Sequence, residues 1–192
     1  MDETTDARSQ LERMLAGDSY LAGDPELEQL SRRASVLMER YNRSSVEDHG
    51  LRREILSELL GQVGEDVVIR PPFYCDYGAQ IRIGARTFVN FNLVALDVAS
   101  ITIGEDVQIG PNVQLLTPLH PLEASRRRDK WETARPITIG DNVWLAGGVI
   151  VSGGVTIGSD TVVGAGSVVT RDLPSGVMAA GSPARVIRAL DP

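Results

Sequence analysis

The sequence has few of the side chains on which many classes of enzyme depend. Its 192 residues include one cysteine, Cys75, and two histidines, His49 and His120. A single cysteine forms no intrachain disulfide, which fits a reducing compartment, and two histidines are too few for a site built from three imidazoles. No apolar run approaches the ~18 residues of a membrane span, and the first residues are acidic, unlike a secretory signal. We therefore expect a soluble cytoplasmic protein with no metal and no membrane partner.

An excess of basic charge is also missing. Lys and Arg together number 19 against 26 acidic residues, and the formal charge is −7. The excess of acid lies in residues 1–66, whereas residues 67–192 are neutral overall. Because nucleic acids are bound through clustered Lys and Arg, this distribution argues against a nucleic-acid partner.

Residues 1–66 carry helical periodicity. Between residues 24 and 43 apolar side chains recur at intervals of three and four, which predicts an amphipathic helix with Asp24 as N-cap and Pro25 in its first turn. The apolar stripe comprises Leu27, Leu30, Ala34, Leu37, Met38 and Tyr41. A shorter helix is predicted around residues 10–15.

A further helix is predicted from Ser45, because Ser45 and Asp48 resemble a capping box. Its apolar stripe would consist of Leu51, Ile55, Leu59 and Val63. These stripes need a partner surface, so we expect residues 1–66 to pack on something larger as a helical head.

From about residue 67 the apolar period changes to six. The aliphatic positions of one unbroken run are Ile139, Leu145, Val151, Ile157, Val163 and Val169. A repeat of six is too short for a helical hairpin or a propeller blade, and a sandwich of short strands would show spacings of about 8–12 residues. The period therefore predicts a parallel β-helix with three hexads in each triangular coil. In that register Ile139 stacks on Ile157, Leu145 on Val163 and Val151 on Val169.

The six-residue period breaks in two places. Ala95 and Ile103 are eight positions apart, and a polar insertion runs from about residue 117 to residue 135. The insertion carries His120, Trp131 and the run Arg126-Arg127-Arg128. A solenoid can extrude a loop without disturbing its stack, and such loops often carry function. The arginine run itself is typical of a solvated surface.

Longer motifs then occur together along the chain. They are PPFYCDYG at 71–78, NFN at 90–92, TPLHPLEASRRR at 117–128, PITIGDNVWLAGGVIVSGGVTIG at 136–158 and GAGSVVTRDLPSGVMAAGSPARVIR at 164–188. Together with AGD at 16–18 and DPEL at 24–27, they resemble the maltose and galactoside O-acetyltransferases, which belong to the acetyl-CoA-dependent hexapeptide-repeat acyltransferases. The resemblance implies a left-handed β-helix over 67–192 with a C-terminal tail, preceded by the family's helical segment over 1–66. It also implies a homotrimer with active sites between subunits.

The resemblance implies that His120 is the catalytic base. A sugar hydroxyl attacks a thioester only as its proton leaves, and imidazole titrates in the range where it can take that proton. The aligned family positions for stabilising the oxyanion are the side chain of Asn90 and the backbone N–H of Gly147. Asparagine and glycine also occupy tight corners of solenoids, so a purely structural role for Asn90 and Gly147 stays open.

The resemblance also implies where the acceptor and the coenzyme bind. Acceptor contacts fall to Asp76, Phe88, Asn90 and Asp97. The galactoside branch has serine at the position of Asp76, tyrosine at that of Phe88 and an acidic residue at that of Val98, so a glucose-type sugar fits better than a β-galactoside. Coenzyme contacts fall to Trp144, Gly147, Ala165, Thr170, Arg171, Arg185 and Arg188, with core packing as the alternative for Trp144. The arginines suit phosphate groups, with a solvated basic tail as the alternative.

The leading hypothesis is thus an acetyl-CoA-dependent sugar O-acetyltransferase. The same scaffold could acetylate another acceptor, such as an amino sugar, a lipo-oligosaccharide or an antibiotic hydroxyl, or could be a non-catalytic binding module. Cys75 has no acid–base partner nearby in sequence, which argues against a nucleophile. His49 lies in the helical head beside Glu47 and Asp48 and is predicted to be a surface residue.

Overall fold

The computed structural model describes residues 6–191, and its N-terminal third is helical. The helices are α1 (Gln10–Leu15), α2 (Pro25–Arg43), α3 (His49–Leu59) and, in the insertion, α4 (Ala124–Arg128). The predicted start of α2 is confirmed, since the Asp24 side chain accepts a hydrogen bond from the Glu26 N–H and Pro25 is the first helical residue. No helix within residues 6–191 is long and apolar enough to cross a membrane.

The predicted start of α3 at Ser45 is wrong. The helix begins at His49, because the Asp48 side chain accepts the Leu51 N–H and serves as the N-cap. Ser45 instead lies in a turn that precedes the helix, where its carbonyl accepts the Asp48 N–H. Ile55, Leu56 and Leu59 form the buried face, while Leu51 is 37% exposed.

The rest of the chain consists of short strands. In chain order they are β1 (Tyr20–Leu21), β2 (Gln62–Val63), β3 (Val68–Ile69), β4 (Phe73–Cys75), β5 (Ile81–Ile83), β6 (Phe88–Val89), β7 (Leu93–Leu96), β8 (Ile101–Ile103), β9 (Gln108–Ile109), β10 (Gln114–Leu116), β11 (Pro118–Leu119), β12 (Trp131–Ala134), β13 (Ile137–Ile139), β14 (Trp144–Leu145), β15 (Ile150–Ser152), β16 (Thr156–Ile157), β17 (Val162–Val163), β18 (Val168–Val169), β19 (Val177–Gly181) and β20 (Ala184–Ala189).

Most of these strands form a three-sided parallel solenoid. Face 1 contains β2, β5, β8, β13 and β16, face 2 contains β3, β6, β9, β14, β17 and β19, and face 3 contains β4, β7, β10, β15 and β18. The antiparallel strand β20 ends face 2. The predicted fold class is confirmed, and so is the predicted register: Ile139 pairs with Ile157, Leu145 with Val163 and Val151 with Val169.

The aliphatic position of each hexad points into the solenoid. Leu145, Val151 and Val163 have no exposed surface, and the column continues into the buried residues of α2 and α3. At about 0.8 kcal/mol for each buried methylene, this column is the main source of stability. Ala34, Leu37 and Ile55 belong to the same core cluster as Phe73 and Ile81, so the two longer helices cap the first coil.

The solenoid begins slightly earlier than the change of period predicts. Helix α3 ends at Leu59, and β2 at Gln62–Val63 already pairs with β5 in face 1. Val63, predicted to be part of the helical stripe, therefore lies in a strand. The transition from head to solenoid lies near residue 61, a few residues before the expected boundary at 66.

The insertion leaves and re-enters the solenoid at one point. Its base is closed by a 3.1 Å hydrogen bond from the Arg135 N–H to the Thr117 carbonyl. Above that base, β11 and β12 form an antiparallel pair, and β1 from the head adds to the other side of β12. Two guanidinium groups lie over the Trp131 ring, those of Arg13 at 5.5 Å and Arg126 at 5.2 Å from its centroid. The head is thus joined to the extruded loop as well as to the first coil.

Candidate active site

His120 lies at the end of β11, at the tip of the extruded sheet. Its side chain is 59% exposed, so a substrate can reach the imidazole. The Nδ1 atom is 3.7 Å from Glu132 Oε1, which is ion-pair range and slightly longer than a hydrogen bond. Catalytic hydrogen bonds are often long in free enzymes and shorten when substrate binds. Glu132 is therefore the candidate for a carboxylate that orients His120, a partner that the spacing of the sequence did not reveal.

Strand pairing explains why Glu132 meets His120. The antiparallel register pairs Leu119 with Thr133, so the next residues along the two strands, His120 and Glu132, face each other. On the other side of β12, Tyr20 of β1 pairs directly with Glu132. Residues opposite each other in a sheet project from the same face. Tyr20, Glu132 and His120, the residue directly after β11, thus form one transverse row.

The hydroxyl of Tyr20 holds the far side of the same carboxylate. It donates a 2.6 Å hydrogen bond to Glu132 Oε2. The Tyr20 ring is 1% exposed, and burial together with the neighbouring Glu132 raises the pKa of Tyr20 well above its usual value. The phenol therefore remains protonated and acts as a donor.

Asp76 follows β4 and is half-buried. Burial, with the nearby charges of Asp97 and Glu132, raises the pKa of the Asp76 carboxyl to about 6. The dependence on Glu132 indicates that Asp76 lies on the same side of the molecule as the row of Tyr20, Glu132 and His120. An ordered, partly desolvated carboxylate suits the recognition of sugar hydroxyls.

Asp97 is not available to an acceptor in this structure. It has no exposed surface, and its two oxygens accept the backbone N–H groups of Asp76, Tyr77 and Gln80 at 2.9–3.2 Å. The two extra residues between Ala95 and Ile103 give the chain room for this buried carboxylate. The expectation of direct acceptor contact by Asp97 is therefore corrected: the residue holds the turn that carries Asp76.

The remaining predicted residues divide between two edges of the triangular cross-section. We call the turns that join face 2 to face 3 the 2–3 edge, and those that join face 3 to face 1 the 3–1 edge. The 2–3 edge carries Asn90, Gly147 and Ala165, and hydrogen bonds such as Gly166 N–H to the Gly147 carbonyl tie its turns together. The 3–1 edge carries Asp76, the loop of His120, Thr170 and Arg171.

Asn90 is not required by the conformation of its turn. The asparagines of the 2–3 edge with left-handed backbone are Asn92, with a φ of 64°, and Asn112, with a φ of 59°. Asn90 Oδ1 accepts the Phe91 N–H at 2.8 Å, so the Nδ2 amide is the group that can donate to a ligand. The Asn90 side chain thus stabilises its own turn through Oδ1 and keeps an amide group that can donate to a ligand.

Trp144 and Arg188 line one groove on face 2. Trp144 is 52% exposed, so the alternative of core packing is wrong. The groove has a volume of about 730 Å³ and also contains the carboxylates of Asp160 and Asp191. Arg188 is the one cationic side chain among the described residues that line it. Arg185 is exposed on the same terminal strand, β20.

Phe88, Cys75 and His49 lie outside the groove of Trp144 and Arg188. Phe88 is half-buried in β6 on face 2, with the Arg70 guanidinium 5.4 Å from its ring centroid. Cys75 is buried, its thiol lies 3.6 Å from the Met38 sulfur, and burial raises its pKa, so it is no nucleophile. His49 is exposed at the start of α3, as predicted. Within residues 6–191 no group of three or more His, Cys, Asp or Glu could hold a metal ion.

The arginine run is partly structural. Arg126 lies over Trp131 and approaches the Ser19 hydroxyl at 3.4 Å, and Arg127 donates to the carbonyls of Pro121 and Leu122 at 2.7 Å. The expectation of a solvated run is therefore wrong for Arg126, which is half-buried, and is confirmed for Arg127 and Arg128, which are exposed.

Comparisons with known proteins identify the chain's relatives. The maltose acetyltransferase hexapeptide capping motif matches residues 13–64, and the bacterial transferase hexapeptide, with six repeats, matches residues 136–171. Nodulation protein L of Rhizobium meliloti is 50% identical over 93% of this chain and 98% of that protein. Galactoside O-acetyltransferase of Escherichia coli is 40% identical over 94% of this chain and 89% of that protein. The chain belongs to the hexapeptide-repeat acetyltransferases.

Solved structures of hexapeptide-repeat acetyltransferases share its whole architecture. A maltose O-acetyltransferase from Clostridium difficile 630 has a TM-score of 0.95 and 40% identity, covering 97% of this chain and 100% of that one. A hexapeptide-repeat acetyltransferase from Vibrio cholerae, complexed with acetyl-coenzyme A, has a TM-score of 0.89 and 42% identity, covering 96% and 100%. The predicted family is confirmed, and this hexapeptide-repeat acetyltransferase is an acyltransferase.

Proposed function

We propose that this acetyltransferase transfers acetyl from acetyl-CoA to a hydroxyl group of a sugar, with His120 as the general base. The observation that carries the proposal is the exposed imidazole of His120, with Glu132 behind its Nδ1 atom at 3.7 Å. A carboxylate at Nδ1 keeps the proton on that nitrogen and leaves the Nε2 lone pair free to accept a proton from the acceptor. It also stabilises the imidazolium that then forms.

The reaction proceeds by direct attack. Nε2 of His120 takes the proton of the acceptor hydroxyl as the oxygen attacks the thioester carbon, which gives a tetrahedral intermediate with a negative oxygen. The side-chain amide of Asn90 and the backbone N–H of Gly147 donate to that oxygen. The C–S bond then breaks, and His120 returns the proton to the departing thiolate, which yields the acetyl ester and free CoA.

The coenzyme lies along the 2–3 edge and face 2 in this proposal. Small residues at Gly147 and Ala165 let the pantetheine approach the backbone of the 2–3 edge. Trp144 borders the channel, and Arg185 and Arg188 supply donors for the phosphate groups. Thr170 and Arg171 lie on the 3–1 edge, so in the proposed trimer they reach the coenzyme from the neighbouring copy. Arginine binds phosphate oxygens in a bidentate manner.

We further propose that the active site is shared between copies of the chain in a homotrimer, in the cytoplasm. Asn90 and Gly147 lie on the 2–3 edge, whereas His120 and Asp76 belong to the 3–1 edge. Face 3 separates these edges by strands of two to four residues, or about 10 Å at ~3.3 Å for each residue. A neighbouring copy that presents its 2–3 edge to the 3–1 edge of the first completes the set.

Asp76 determines the acceptor class in the proposed site. Its carboxylate accepts hydrogen bonds from two adjacent hydroxyls of a glucose-type sugar, near the imidazole of His120. Asn90 of the neighbouring copy reaches the same acceptor. Because the turn of Asp76 is fixed by three backbone bonds to Asp97, the carboxylate is ordered before the sugar arrives.

Thiol release from acetyl-CoA, measured with a panel of mono- and oligosaccharides, tests the proposal. The wild-type protein should release CoA only with a sugar acceptor present, and NMR of the product should show an acetyl ester. His120→Ala should fold normally and lose about 10²–10⁴ in rate. Release without any acceptor dependence, or a fully active His120→Ala, would contradict the proposal and favour a non-catalytic solenoid or a different base.

A further inference from the structure

We propose that Tyr20, supplied by the helical head, is a positioning residue for His120 and acts through Glu132. The inference rests on the proposed role of His120 as the base. It assigns to the head a part in the reaction, in addition to its contact with the first coil.

The first argument is the geometry of the carboxylate. Glu132 has two oxygens, and the structure gives each a separate partner: Tyr20 Oη donates to Oε2 at 2.6 Å, and His120 Nδ1 lies 3.7 Å from Oε1. A carboxylate with one oxygen fixed by a short hydrogen bond loses most of its rotational freedom. The other oxygen is then held toward the imidazole instead of turning to solvent.

The second argument is the rigidity of Tyr20. Its ring belongs to a small buried cluster with Met14, Leu27, Val98 and Ala134. The strand that carries it, β1, pairs with β12, and the neighbouring Leu21 N–H donates to Gln10 Oε1 at 2.7 Å. The phenol oxygen therefore occupies a fixed position, set by apolar packing around the ring and by backbone pairing.

The third argument is the exposure of the imidazole beside a half-buried carboxylate. Glu132 is half-buried in the outermost part of the extruded sheet, where its backbone is held by β1 on one side and β11 on the other. His120 itself is mostly exposed, so packing alone does not fix the imidazole. Orientation of the imidazole must then come from hydrogen bonding at Nδ1, and the partner there is fixed by Tyr20.

A mutant cycle tests the inference. Tyr20→Phe removes one hydroxyl and keeps the ring in its apolar cluster, whereas Glu132→Ala removes the group through which Tyr20 acts. We expect Tyr20→Phe to lower kcat about tenfold, as loss of one hydrogen bond to a charged group predicts, with the KM for acetyl-CoA unchanged. In the Glu132→Ala background the same substitution should change kcat by less than about twofold, because its target is gone.

Tyr41→Phe is the matched control. Tyr41 is also a 1% exposed tyrosine of the head, and its hydroxyl donates at 2.6 Å, but to the Ile69 carbonyl. We expect Tyr41→Phe to lower the melting temperature with kcat unchanged in the folded enzyme. Thermal unfolding of all variants is measured beside kcat to separate stability from turnover.

Three outcomes would overturn the inference. They are wild-type kcat in Tyr20→Phe, an undiminished effect of Tyr20→Phe in the Glu132→Ala background, and an equal loss of kcat in Tyr41→Phe. Failure of the proposed function has a different signature, since His120→Ala would then be as active as the wild type. An inactive His120→Ala with a fully active Tyr20→Phe rejects only the role of Tyr20.

Discussion

Asn90 and His120 leave the solenoid from different edges of its triangular cross-section. Asn90 follows β6 at the 2–3 edge, and the loop of His120 follows β10 at the 3–1 edge, so face 3 lies between them. Both residues are proposed to act on the same tetrahedral carbon. In the proposed homotrimer they do so because two copies of the chain each contribute one edge.

Mixing two inactive variants tests this arrangement. His120→Ala and Asn90→Ala should each be strongly impaired alone. Coexpressed with different tags, the two variants should assemble at random into mixed trimers. Each proposed site takes His120 from one copy and Asn90 from the adjacent copy, so about a quarter of the sites should contain both intact residues. The recovered activity should therefore approach a quarter of the wild-type value. Coexpression of two differently tagged His120→Ala chains is the control, and equal inactivity of both mixtures would place the site within one chain.

Charge reversal in the terminal strand tests the coenzyme assignment. Arg188 lines the groove of Trp144, which Asp160 and Asp191 already make partly acidic. Arg188→Glu should raise the KM for acetyl-CoA about tenfold or more, since a charge-assisted hydrogen bond is replaced by repulsion. The KM for the sugar should stay nearly constant. Arg82→Glu, an exposed reversal on face 1, is the matched control, and equal changes in both KM values would reject the assignment.

The protonation of Asp76 should make the free energy of unfolding depend on pH. Burial beside Asp97 and Glu132 raises its pKa from 3.8 to about 6 in the folded protein. Above pH 6 the carboxyl is ionised in both folded and unfolded states, and its burial destabilises the fold. As the pH falls from about 6 to about 4, the folded state binds the proton first, so this group's contribution to stability rises.

Asp76→Asn removes that titration. The variant should melt at a higher temperature than the wild type at pH 7–8, and the difference should shrink as the pH falls toward 4. Thermal unfolding across this pH range measures the effect, with Asp129→Asn, at an exposed loop position, as the control. A constant difference at all pH values would show that ionisation of Asp76 is not its cause.

Truncation within the inner column should be costly. Leu145 has no exposed surface and is stacked between Ile109 and Val163. Leu145→Ala should lower the free energy of unfolding by about 2–5 kcal/mol, because the adjacent coils cannot collapse into the cavity. Leu122→Ala, at a side chain that is 93% exposed, should change it by less than about 0.5 kcal/mol. Chemical denaturation measures both, and similar values for the two variants would contradict the stacked-column account.

The solenoid could be predicted in detail because one simple rule repeats. Each hexad places an aliphatic side chain inward, and a slip by one residue would turn the whole column outward, so the register of Ile139, Leu145 and Val151 follows from the sequence. The start of α2 could also be predicted, since Asp24 as N-cap and Pro25 in the first turn both place the start of the helix at residue 25.

The start of α3 and the extruded sheet were not predictable in the same way. Ser45 and Asp48 are both good N-caps, and only the packing of Ile55 and Leu59 against the first coil selects Asp48. The extruded sheet depends on pairing between Tyr20 and Glu132, which are 112 positions apart, through strands too short to show alternation. The only signal in the sequence for a carboxylate beside His120 was the presence of Glu132 at the far end of the same insertion.

The closure of the extruded loop has a consequence for how such proteins diverge. One hydrogen bond joins Thr117 to Arg135, and directly before the excursion Leu115 still pairs with Val151 of the following coil. Lengthening or rewriting the excursion therefore leaves the coils undisturbed. Because the head contributes a strand to that excursion, a new loop would need a compensating change near Tyr20. In the proposed function, a change of acceptor would then require coupled substitutions in two distant segments, the extruded loop and the strand of Tyr20. The coils of the solenoid would remain unchanged.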